Sequence, residues 1–109
     1  MGSNVNEYVK ELVDKLKMTD EYIAYRNQLG VIKHFPDLME QINKYREENF
    51  LIQNEYDGDE LFDKMEEFNV RNEKFLENPT VSDFLHAEAG ICRLIQEVNV
   101  KIMEGLDFE

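Results

Sequence analysis

Apolar residues recur at steps of three and four along almost the whole chain, the spacing that lines one face of an α-helix. Val5, Tyr8, Val9, Leu12, Val13 and Leu16 form the first such face, with Ser3 or Asn4 ahead of it as an N-cap residue. Thr19 or Asp20 punctuates the chain and caps a second segment, whose face is Tyr22, Tyr25, Leu29 and Ile32. That segment should stop at Phe35-Pro36, because proline disfavours helical backbone in the residue before it. Pro36 then fits the first position of a third helix, where its missing N–H costs nothing. The stripe of this helix is Leu38, Ile42, Tyr45 and Ile52. The run Phe50-Leu51-Ile52 points three ways at once and predicts an end enclosed on several sides. Tyr56-Asp57-Gly58-Asp59 reads as a turn, with Asp57 or Asp59 as N-cap of a fourth helix. Leu61, Met65, Phe68 and Phe75 form its face, flanked by Phe62 and Leu76. Asn78-Pro79-Thr80 ends that segment and opens the last, from about Thr80 to about Leu106.

The last helix is the informative one. At about 1.5 Å per residue it runs roughly 40 Å, too long for a compact ball of this size. Its apolar positions cover about half the circumference, a face that needs neighbours on two sides. Helices of the same chain can cover one side, and a second copy covers the other most economically. Phe84, Ile91, Ile95, Val98 and Ile102 are therefore expected at an oligomer interface, in the simplest case that of a C2 dimer. The expected fold is all-α: a single domain over residues 1–109, an antiparallel bundle of four to five helices with a long C-terminal helix, oligomerising through helix packing.

Four polar residues interrupt the apolar stripes: Asn49, Asn72, Glu88 and Asn99. A buried polar group must be hydrogen-bonded, and a buried carboxylate must be paired or protonated. One reading makes these residues fixers of register and oligomeric state, as an interior Asn is in coiled coils. The other makes them a polar site inside the bundle that takes a small ligand or a metal near Glu88. Under either reading Glu88 needs a partner, and Arg26, Tyr22 and Tyr25 are the candidates from the second helix.

Composition changes the picture mainly through charge. The 109 residues carry 12 Lys+Arg against 24 Asp+Glu, a net charge of −12, and residues 36–109 hold all of the excess. Such a surface repels phosphate backbones and anionic headgroups, which argues against nucleic-acid binding and membrane association. It solubilises the chain and suits a basic protein partner. No segment approaches the ~20 apolar residues of a membrane span, and no basic flank with an apolar run marks a secretory signal. The chain is expected to be soluble and cytoplasmic. Mimicry of DNA is disfavoured, because the acidic residues are interspersed with Lys and Arg.

Catalytic motifs fail one by one. Asp83-x-x-His86 has the spacing of a di-iron carboxylate–histidine pair, but such sites need two copies of the motif plus two inward Glu residues. Asp57-x-Asp59 begins like a calcium loop, yet Phe62 and Phe68 stand where that loop needs Gly and Glu. His34 sits at a helix end, where the dipole favours a cation. There is no phosphate-binding Gly-rich loop and no nucleophile elbow. The single Cys92 lies on the apolar face and reads as a small core residue. No enzyme, cofactor or metal is expected.

At the last helix the sequence resembles a known family. Asn78-Pro79-Thr80-Val81-Ser82-Asp83-Phe84-Leu85-His86-Ala87-Glu88, continuing through Leu94-Ile95-Gln96-Glu97-Val98-Asn99, is similar to the hallmark of the YlbF/YmcA family of small helical bacterial regulators. Asp20-Glu21-Tyr22-Ile23-Ala24-Tyr25 resembles the family's paired-tyrosine helix, and Phe35-Pro36-Asp37-Leu38-Met39 its next helix opening. The resemblance implies an oligomeric, non-enzymatic helical protein, cytoplasmic in Gram-positive bacteria. It implies action through protein complexes that affect competence, sporulation and biofilm development and are linked to RNase Y and mRNA processing. Some complexes of the family carry iron–sulfur clusters on cysteines. The lone, mid-helix Cys92 departs from that pattern, so a cluster here would need thiolates from other subunits, and the cofactor is not carried over. The expected function is that of a regulator or adaptor. The alternative is a carboxylate-rich bundle binding a metal or small ligand near Glu88.

Overall fold

A computed structural model describes the backbone of residues 2–107 and the side chains of residues 4–107. It contains six helices and, among the described residues, no strand: α1 (Gly2–Leu16), α2 (Asp20–Ile32), α3 (Pro36–Glu55), α4 (Gly58–Arg71), α5 (Glu73–Glu77) and α6 (Pro79–Gly105). The punctuation follows local chemistry. Thr19 caps α2, its Oγ1 accepting from the Tyr22 N–H, and Asn78 caps α6 by accepting from the Thr80 N–H. Pro36 and Pro79 occupy first-turn positions of α3 and α6. Asp57 stands at the N-cap of α4 without a side-chain cap bond, and Gly58 takes the positive φ of 55° that turns the chain there. Ser3 and Asn4, expected ahead of α1, are already helical.

The core is small and sits at one end of α6. Ile32, Ile42, Val81 and Phe84 are buried together, with Tyr25, Leu29, Leu38, Met39, Phe75 and Leu85 packed around them. α2 runs antiparallel to the first half of α6, so that Ile32 meets Val81 while Tyr22 and Tyr25 lie beside Glu88, Ile91 and Ile95. A second layer joins α3 to α4 and α5: Tyr45 stacks on Phe68 with centroids 5.0 Å apart and tilts against Phe75 at 6.0 Å.

Two expectations about elements are corrected. The fourth segment breaks at Asn72, whose φ of −99° and ψ of 6° leave the helical region. Its Nδ2 donates to the Phe68 carbonyl, a local bond that competes with helix continuation. The end of α3 is not enclosed on several sides: Ile52 is buried, but Phe50 and Leu51 face outward. α4 is the element packed most closely on α3 among the described residues.

The molecule is extended. Its radius of gyration is 18.0 Å, against about 13 Å for a compact chain of this length. Its principal extents are 51 × 38 × 20 Å. α1 and the second half of α6 lie outside the core cluster, with Val5, Val9, Ile95 and Ile102 exposed.

Candidate functional site: an unpartnered apolar face

The expected interface residues of α6 divide along the length of the helix. Phe84 is 1% exposed, enclosed by its own chain, with the Tyr25 ring 6.0 Å away. Its assignment to an interface between copies is therefore corrected: it belongs to the intrachain core. Ile91 and Val98 are half-buried, whereas Ile95 and Ile102 are 46% and 47% exposed. Beyond them Met103 and Leu106 are exposed as well. The physical reason is geometric. α2 begins at Asp20, which lies near the level of Ile95, so α6 continues past the end of its neighbour without a covering helix.

α1 carries a second bare face, which sequence patterning identified as a stripe but did not assign to an interface. Val5, Tyr8, Val9, Leu12 and Val13 are all exposed. Its last turn returns to the body of the protein, where Val13 and Leu16 meet Tyr22 and Tyr25 of α2 and Ile91, Cys92 and Ile95 of α6 around a groove of about 390 Å³. Cys92 is exposed, so its reading as a core residue is corrected. The groove is mostly apolar and joins the α1 stripe to the α6 stripe, with Glu88 as its charged member.

None of the four interrupting polar residues is buried in the single chain. Asn99 is exposed on the free part of α6. Asn49, half-buried, accepts a hydrogen bond from Gln53 Nε2 at 3.0 Å, and Asn72 is occupied by the break before α5. Glu88 is partnered, but not from α2: Arg46 of α3 donates to its carboxylate, while Arg26 is exposed. The Arg46 guanidinium also lies 5.9 Å from the centre of the Phe84 ring. Arg46 thus reaches two residues one turn apart on α6. The signal for this pair was its place four residues after Ile42, at the edge of the α3 stripe. A parallel pair, Arg71 with Glu48, ties α4 to α3, and this bond holds the Arg71 guanidinium above its ordinary pKa.

Among the described residues no group of three or more His, Cys, Asp or Glu side chains is placed to hold a metal ion, and no helix is long and apolar enough to cross a membrane.

The chain is 23% identical to the UPF0342 protein SSP0954 of Staphylococcus saprophyticus over 109 residues, covering 98% of this chain and 96% of that one. It is 22% identical, at the same coverage, to the UPF0342 protein SERP1381 of Staphylococcus epidermidis. No solved structure matches significantly. The model of the family described as control of competence regulator ComK, YlbF/YmcA, matches residues 5–107, and the chain belongs to that family.

Proposed function

We propose that this protein is a non-enzymatic regulatory adaptor that acts in the cytoplasm as a homo-oligomer, in its simplest form a C2 dimer, and docks protein partners. The observation that carries the reading is the apolar surface left bare on the second half of α6, where Ile95 and Ile102 stay exposed in a chain of net charge −12. Contiguous apolar surface of this kind marks association. Ile91, Ile95, Val98 and Ile102 form the contact, and Asn99, one turn from Ile95 and Ile102, sets its register.

The family's description as a competence regulator supports a role in control rather than catalysis. An mRNA-processing complex is the assembly such an adaptor would join. The acidic surface of α3 and α4 favours a basic protein partner over nucleic acid or lipid.

Analytical ultracentrifugation tests the reading. At tens of micromolar the chain should sediment at twice its monomer mass or more, and Ile95→Asp with Ile102→Asp should return it to a monomer that still unfolds cooperatively, at a lower temperature than the oligomer. A wild-type chain that stays monomeric would overturn the proposal.

A further inference from the structure

We infer that α1 is an exchanged arm: in the dimer, α1 of each copy lies along the free second half of the other copy's α6. The inference rests on the self-association proposed above and specifies which surfaces meet. Three observations lead to it.

The first is area. The chain exposes 8669 Å². A compact monomer of 13.0 kDa exposes roughly 6,300 Å², so the excess is roughly 2,300 Å². A stable pairwise interface needs about 800 Å² from each partner, and obligate dimers use more. The α6 stripe from Ile91 to Leu106 is one rod of about 22 Å, and α1 adds a second exposed apolar stripe, Val5, Tyr8, Val9, Leu12 and Val13. Burying α6 alone would leave Val5, Val9 and Leu12 in water.

The second is the elbow between α1 and α2. Thr19 Oγ1 donates to the Leu16 carbonyl at 2.6 Å and accepts from the Tyr22 N–H at 3.2 Å, while the Lys17, Met18 and Thr19 amides bond back to Val13, Lys15 and Leu16. One side chain clasps the end of α1 and the start of α2 together. The clasp stiffens the elbow at which α1 meets its own α6 through its last turn, while Val5, Tyr8 and Val9 farther along stay exposed. A second copy is the occupant that covers both stripes without disturbing it.

The third is helix stability. α1 has 15 residues, and isolated helices up to about that length are marginal in water. Its order therefore depends on a surface that its own chain does not supply. The groove beside Val13 and Ile95 makes the α1 and α6 stripes one continuous surface, so the two-fold operation brings each arm onto the other copy's rod.

The test uses the full chain. A photo-crosslinking residue replaces Val9 in one preparation, which is mixed with a heavy-isotope chain and allowed to exchange before irradiation. Mass spectrometry should place the crosslinks from the light chain on residues 95–106 of the heavy chain. In parallel, Val9→Asp with Leu12→Asp should weaken self-association about tenfold or more. It should lower the helix signal by circular dichroism while the core melt stays in place. Crosslinks confined to the same chain, or joining α1 to the other copy's α1, would overturn the arm exchange. So would a dimer of unchanged strength in the Asp variant, and in these cases the proposed self-association would still stand. A wild-type chain that is monomeric throughout would overturn both.

Discussion

Phe84 and Ile102 are both large apolar residues on the same stripe of α6, yet one is sealed inside its own chain and the other is 47% exposed. Their substitutions should therefore separate two properties. Phe84→Ala removes a ring from a closed core and should cost about 3–5 kcal/mol of stability in a urea titration. Glu88→Gln, by contrast, removes one charge from a pair whose side chains are 41% and 28% exposed. Exposed ion pairs contribute up to about 1 kcal/mol, so its melt should shift little. The apolar stripe fixed Phe84 as an inward residue, but not whose interior it would fill. The partner of Glu88 was still harder to foresee: sequence reading points to Arg26, Tyr22 and Tyr25 on α2, and Arg46 of α3 comes within reach only once the helices are placed.

Helices are the level at which the sequence speaks most directly. Five of the six follow from three- and four-residue spacing, with Thr19, Pro36, Asn78 and Pro79 marking the starts of α2, α3 and α6. The exception, the break at Asn72, arises because its side chain competes for the Phe68 carbonyl, an option that apolar spacing does not register. Within α6, Gly90 is mid-helix and a Cβ there would meet nothing within 4 Å. Gly90→Ala should accordingly raise stability by about 0.5–1 kcal/mol, read as a higher denaturation midpoint at unchanged slope. Destabilisation on that substitution would mean that another surface approaches the helix at this point.

At the level of the whole molecule, two terms of opposite sign act on self-association. The proposed interface is apolar and would gain from removing side chains from water, while two copies of net charge −12 would repel one another. Salt screens the second term and leaves the first intact, because the Debye length falls from about 10 Å at 0.1 M to about 3 Å at 1 M. Raising the salt concentration should therefore tighten the oligomer or leave it unchanged in sedimentation equilibrium. Dissociation by salt would show that ion pairs, not the α1 and α6 stripes, hold the copies together.

By itself the sequence determined the all-helical class, the positions of most helix ends and the apolar stripes, because each of these is written in local spacing and residue type. Only the tertiary structure decided where α6 ceases to be covered, that α1 leaves the core, and that Arg46 rather than Arg26 meets Glu88. Those outcomes depend on how long α2 is relative to α6 and on how the helices cross, and both are relations between segments distant in the chain.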